Sequence, residues 1–235
     1  MISCYNLDGD DTTKIHAIRI SDGDIKTFDT GIFFQFIHSG NQFEKNGKIT
    51  VDATTFEDSS KVVYEVFDFD KLEGEDSLYN KQYGGRWKRF EMDLSSGKVD
   101  SRDLYRLPDG GNVELPSFNK KYDGVKENCF TYLIEYFGKQ ELDENYGFDL
   151  IKFDACNDQV AARWSQPYYL PNEPYFIADP NGTKEDDGTI MIVSYDFNRE
   201  TSLLTAIDPH SMTTVQEWDL PFRVPWTLHS GFWPK

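Results

Sequence analysis

The sequence is poor in cysteine, in histidine and in positive charge, and each shortage narrows what the protein can do. Its three cysteines, Cys4, Cys129 and Cys156, lie far apart. They form no C-x-x-C metal knuckle and no disulfide framework, so a reducing compartment, the cytoplasm, is the expected setting. Lysine and arginine number 24 against 41 acidic residues, a formal charge of −17. That balance argues against a nucleic-acid partner, because phosphate binding needs clustered cations. It also disfavours simple electrostatic adhesion to anionic lipid. No apolar run reaches the ~18 residues of a membrane-spanning helix. The opening, MISCYNLDGDDTTKIHAI, lacks the basic and apolar regions of a secretion signal. It starts almost inside a strand, which sets the expectation of a chain cut from a longer one.

Aromatic residues, by contrast, are abundant: 18 Phe, 13 Tyr and 5 Trp among 235 residues. With frequent Val, Ile and Thr they favour β structure. RWKRFEMDL, FDLIKFDA, TIMIVSYDF and SLLTAID read as strands of roughly 5–8 residues. The clusters SDGD (21–24), SSGK (95–98), DPNGT (179–183) and DPHS (208–211) read as turns. One stretch, 59–74, is ambiguous between a helix and a strand followed by a loop. A strand–turn–strand unit recurs four times, at 18–28, 90–104, 150–164 and 204–218. Irregular repetition of hairpins fits the blades of a β-propeller better than a β-sandwich. No linker divides the chain, so residues 1–235 are expected to form one all-β portion of a propeller. Four blade-like units do not obviously close a ring, and open blades would expose apolar faces and strand edges.

There are four histidines: His16, His38, His210 and His229. His16 lies in the alternating strand KIHAIRI and His210 in a polar turn. His38 follows the run IFFQFI, and His229 follows PFRVPWTL, so both stand at the end of an apolar stretch where a ring could enter a sheltered site.

Four segments carry a resemblance. FFQFIHSGNQFEKNGKITVDA (33–53) resembles the carotenoid oxygenase pattern F-H-x-x-N-A-Y/W-E followed by a strand ending in Val-Asp, with His38, Asn41, Phe43 and Glu44 on the pattern. NVELPSFN (112–119) resembles that family's E-F/L-P-x-I/F-N segment. NEPYFIADPNGTKEDDGTIMIVSYD (172–196) resembles its E-P-x-F-V…P…E-D-D-G segment, and LPFRVPWTLHSGF (220–232) its closing V/I-P-x-x-F/L-H-G-x-F. The four occur in family order over nearly the whole chain.

The resemblance implies the C-terminal blades of a seven-bladed propeller that holds Fe(II) on its axis with four histidines. His38 and His229 match the third and fourth of these, on inner strands of different blades, and Glu114 and Glu173 match glutamates that orient the rings. Phe56 is the best candidate for the lining of a tunnel that admits a long apolar polyene. The implied reaction is oxidative cleavage of a carbon–carbon double bond in a carotenoid or apocarotenoid by dioxygen. Retinoid ester isomerohydrolysis on the same site, or a non-catalytic half-propeller or inactive truncated product, are the alternatives. Family members often take substrate from membranes, so peripheral membrane contact is a further expectation. The sequence departs from the pattern at His229-Ser230-Gly231, where Ser230 separates the usual His-Gly pair, and at Ile37 and Gln42. Family enzymes are about twice as long, and the first two metal histidines would belong to a missing N-terminal half.

Overall fold

A computed structural model describes residues 11–56, 84–108, 111–136, 148–225 and 229–233. Those residues contain fifteen β-strands and no helix. The ambiguous stretch 59–74 lies outside them, as does Cys4. A hairpin of β1 (Lys14–Ile18) and β2 (Ile25–Asp29) comes first. A four-stranded antiparallel sheet follows in chain order: β3 (Gln35–Lys45), β4 (Lys48–Phe56), β5 (Arg86–Asp93) and β6 (Val99–Tyr105). The second sheet repeats the order with β7 (Asn112–Ser117), β8 (Phe130–Tyr136), β9 (Phe148–Asp154) and β10 (Gln159–Ser165). In the third, β11 (Tyr169–Pro171) and β12 (Tyr175–Ala178) both pair with β13 (Gly188–Asp196), followed by β14 (Thr201–Asp208) and β15 (Thr213–Asp219).

The sheets stack face to face, and the middle one is buried on both sides. Side chains alternate across a strand, and β8 and β9 use both faces for core. Tyr132, Ile134, Tyr136 and Leu150 meet Phe176, Ile190, Ile192 and Ile207 of the third sheet. Leu133, Ile151 and Phe153 point the other way, toward Trp87 and Leu104 of the first. This is why TYLIEY and FDLIKF show no strict alternation of apolar and polar residues. Successive meanders packed in this way are blades, and the chain folds as part of a β-propeller.

All four hairpins read from the sequence are present, as β1–β2, β5–β6, β9–β10 and β14–β15. In the three sheets they form the pair farthest from the first strand. Their turns share one chemistry. Asp93, Asp154 and Asp208 each end or close the first strand, and each carboxylate accepts backbone N–H groups of the turn: Ser95 and Ser96, Cys156 and Asn157, and His210. These are Asx-turns. Four residues after each aspartate the backbone turns left-handed, at Gly97 (φ 77°), Asp158 (φ 52°) and Met212 (φ 52°). The β13–β14 turn does the same, with Asp196 bonded to the N–H groups of Asn198 and Arg199 and Glu200 at φ 53°.

The cysteine expectation is corrected. Cys129 and Cys156 form a disulfide with Cα atoms 5.1 Å apart. Phe130 stands opposite Asp154 in the β8–β9 ladder, so the residues just before β8 and just after β9 are brought side by side. A separation of 27 residues hid a contact that a strand pair creates. The reducing compartment inferred from unpaired cysteines loses its ground.

The shared turn yields a test. A left-handed residue with a Cβ costs about 1–2 kcal/mol relative to glycine, offset in part by glycine's larger unfolded-state entropy. Glu200→Gly is therefore expected to raise stability, by up to about 1 kcal/mol, in denaturant unfolding. A loss of stability would contradict the role assigned to the turn.

Candidate metal centre

His38 and His229 are 191 residues apart in sequence. In the structure their ring centroids are 5.1 Å apart, with the rings edge to face at 80°. His38 comes from β3, the first strand of its sheet, and Glu114 from β7, the first strand of the next. Both sit where the strand departs from regular pairing. On β3, Phe36 is opposite Thr55 and Ser39 opposite Ala53, so β3 advances three residues for two on β4. On β7, Glu114 is opposite Ile134 and Ser117 opposite Tyr132, again three for two. Bulges of this kind re-aim side chains. The second is held by Leu115 at φ 55°, a left-handed leucine that is 2% exposed. Its N–H donates to Glu114 Oε2 at 3.1 Å.

Across the gap between the sheets, His38 Nδ1 lies 2.7 Å from the same Glu114 Oε2. Both side chains are largely buried. The hydrogen bond to Glu114 raises the His38 pKa; burial opposes it, and the charges of Glu114 and Glu173 add to the rise. With Nδ1–H directed at Glu114, the ring's other nitrogen, Nε2, keeps its lone pair. Glu114 Oε1 is buried without a partner, so the carboxylate retains capacity for one more donor.

Glu173 stands just ahead of β12 and serves the second histidine. His229 Nδ1 is 3.5 Å from Glu173 Oε1. Glu173 also holds the residue that departs from the family pattern: Ser230 N–H donates to Oε2 at 2.6 Å, and its hydroxyl donates to the Glu173 carbonyl at 3.2 Å. Ser230 thus ties the backbone beside His229 to the carboxylate that faces the ring. His229 lies on no strand, contrary to the expectation of an inner strand, and its side chain is 65% exposed.

The other candidates separate from this pair. His16 Nδ1 bonds the Thr27 hydroxyl at 2.9 Å on the β1–β2 hairpin. His210 stands between two carboxylates, with Nδ1 3.0 Å from Asp186 and Nε2 3.1 Å from Asp187. Lys152 Nζ sits 2.6 Å from Asp186, so that carboxylate already has a cationic partner. The E-D-D-G stretch is a brace: Glu185 accepts the N–H groups of Cys129 and Phe130 at 2.9 and 2.6 Å, and Asp187 those of Thr183 and Lys184, both at 2.8 Å. Phe56 is 4% exposed at the end of β4, and its ring packs closely on Gly85, where a Cβ would stand 3.0 Å from it. That is a core position; a tunnel role for it rests on the resemblance alone. Next to Glu173 and Ser230 is a cavity of about 330 Å³ with an apolar wall of Tyr175, Ile177, Met191, Val193, Leu204 and Phe232. Sequence reasoning did not find it, because its wall is assembled from three strands and the tail.

The His38–Glu114 contact has a pH signature in metal-free protein. The folded pKa of His38 lies above its ordinary value near 6.5. Stability from the charged pair is therefore complete below that ordinary value and fades as pH rises through the folded one. An NMR titration of the ring is expected to give a raised midpoint that falls in Glu114→Gln, and the stability gap between wild type and variant should shrink as pH rises. A gap that widens would contradict the assignment.

The family model described as RPE65, retinal pigment epithelial membrane protein, matches residues 1–234. The chain is 25% identical to apocarotenoid-15,15'-oxygenase of Synechocystis, over 99% of this chain and 45% of that protein. It is 24% identical to the mitochondrial carotenoid-cleaving dioxygenase of Pongo abelii, over 86% of this chain and 41% of that one. Among solved structures, cobalt-substituted Synechocystis ACO superposes with a TM-score of 0.74 at 20% identity, over 94% of this chain and 44% of the other. An ACO/RPE65 chimera gives 0.74 at 19%, with the same coverage. The chain thus spans less than half the length of the relatives it matches. With a family model covering all but its last residue, this chain belongs to the RPE65 and carotenoid oxygenase family.

Proposed function

We propose that this chain is part of an iron(II)-dependent oxygenase that cleaves a carbon–carbon double bond in a carotenoid or apocarotenoid with dioxygen, and that it supplies two of four metal-binding histidines. The observation that carries the reading is the meeting of His38 and His229 with each Nδ1 facing a glutamate. A carboxylate on one ring nitrogen fixes the tautomer and leaves the other nitrogen as ligand. Imidazole donors suit iron among other transition metals, and an all-imidazole set leaves positions open. The residues present therefore fit the metal: His38 and His229 would hold it through Nε2, with Glu114 and Glu173 behind them.

When bound, the iron supplies binding and activation of dioxygen. The chain's own residues do the rest. Glu114 and Glu173 orient the two rings. The apolar wall of Tyr175, Ile177, Met191 and Phe232 suits a hydrocarbon chain and excludes water from it. Cleavage takes one dioxygen per double bond and leaves two carbonyl products. The relatives favour cleavage over hydrolysis of a retinoid ester, because the two described above are a carotenoid-cleaving dioxygenase and an apocarotenoid oxygenase.

The experiment is a cobalt(II) titration of the 235-residue chain, followed by visible absorption and calorimetry. Two imidazoles leave most coordination positions to solvent, so weak binding without turnover of an apocarotenoid is expected. His38→Ala and His229→Ala should abolish the site, and Glu114→Gln or Glu173→Gln should weaken it by about 10–100-fold. Equal cobalt affinity in all four variants would remove these residues from the metal and leave a non-catalytic blade assembly as the better reading.

A further inference from the structure

We infer that Asn41 is a positioning residue for His38, an inference that rests on the reading of His38 as a metal ligand. The departure from regular pairing on β3 is double. After the first bulge at Phe36–Ser39, a second follows: Ser39 is opposite Ala53 and Gln42 opposite Val51. Six steps along β3 therefore match four along β4. His38 lies in the first bulge and Asn41 in the second. Two extra residues restore the alternation beyond Gln42 but leave the direction of the side chains between 36 and 42 undetermined by the ladder. A change of one residue in such a register sends a side chain to the opposite face. Something other than strand pairing has to choose the direction of His38.

Asn41 does so through a complete set of hydrogen bonds. It is 1% exposed. Its Nδ2 donates to the Lys126 carbonyl at 2.7 Å and to Asn128 Oδ1 at 2.9 Å, and its Oδ1 accepts the Gly124 N–H at 3.2 Å. Both donor hydrogens and the carbonyl oxygen are used, a combination that neither aspartate nor a hydroxyl can reproduce. All three partners lie in the connection between β7 and β8, in the sheet that carries Glu114. The stretch 38–41 is thus fastened at both ends to one neighbouring blade, by His38–Glu114 at one end and the Asn41 amide at the other. Between them Gly40 is pressed against Trp87, where a Cβ would meet the ring at 2.6 Å. Releasing Asn41 would leave the buried Asn128 without its amide partner, undo the two bonds to the Lys126 carbonyl and the Gly124 N–H, and free the second bulge to shift. The first bulge, and with it His38 Nδ1, would lose its aim at Glu114.

The test uses the 235-residue chain labelled with ¹⁵N-histidine. Wild type should give a low-field His38 Nδ1–H resonance from the bond to Glu114, and should bind cobalt(II). Asn41→Ala and Asn41→Asp should lose that resonance and about ten-fold in cobalt affinity, with the backbone amide spectrum of β8–β10 and β13–β15 retained. Gln42→Ala, which removes only an exposed 3.4 Å contact to Asp123, should change neither. Where the Asn41 variants do not fold, Asn128→Ala removes one acceptor and should weaken the same two signals. Retention of the resonance and of cobalt affinity in a folded Asn41 or Asn128 variant overturns the inference. Loss of the resonance in protein that binds no cobalt even as wild type supports the positioning role and overturns the metal reading.

Discussion

The site depends on a hydrogen bond made between two sheets. His38 belongs to one blade and Glu114 to the next, and the 2.7 Å contact between them joins the blades at their first strands. It fixes which nitrogen of the ring carries the proton, and therefore which nitrogen faces outward as a lone pair. The carboxylate is held in place by a strained neighbour, Leu115, whose left-handed backbone costs about 1–2 kcal/mol. That strain is retained because core packing around Leu115, Tyr132 and Phe176 holds the residue where it is.

The stacked blades make such a contact available. Each sheet buries alternate residues against its neighbours, so the middle sheet has no solvent-facing side over most of β8 and β9. Its register relative to the flanking sheets is set by that double burial. The repeated Asx-turns, with Asp93, Asp154, Asp196 and Asp208 in equivalent places, close the hairpins in one way each time. Register shifts occur in the outer strand pairs as well as in the first strands, and it is those of β3 and β7 that place His38, Asn41 and Glu114.

Much of this was legible in the sequence, for physical reasons that differ from one element to the next. Strands ending in Asp before a turn are local signals, so FEMD, LIKFD and LTAID announced their hairpins. The pairing of His38 with Glu114, and of His229 with Glu173, could be expected only from the ordered resemblance, because no periodicity links residues so distant. The double bulge left no trace in the alternation of QFIHSGNQF, which is apolar at irregular spacing. Asn41 stood within a recognised pattern, yet its three partners come from a connection more than 80 residues away. The Cys129–Cys156 bond was missed for the same reason: the contact is a product of β8–β9 pairing rather than of spacing. His229 proved to lie on no strand, since its orientation is set by Glu173 and Ser230.

The central claim is that His38 and His229 share one metal ion. Anomalous diffraction at the iron edge, from crystals of the chain grown with Fe(II) under anaerobic conditions, tests it most directly. The account predicts one anomalous peak at about 2.1 Å from Nε2 of both rings, with Glu114 and Glu173 on the Nδ1 atoms. A peak at the Asp186, Asp187 and His210 cluster instead, or none beside the two rings, would contradict it.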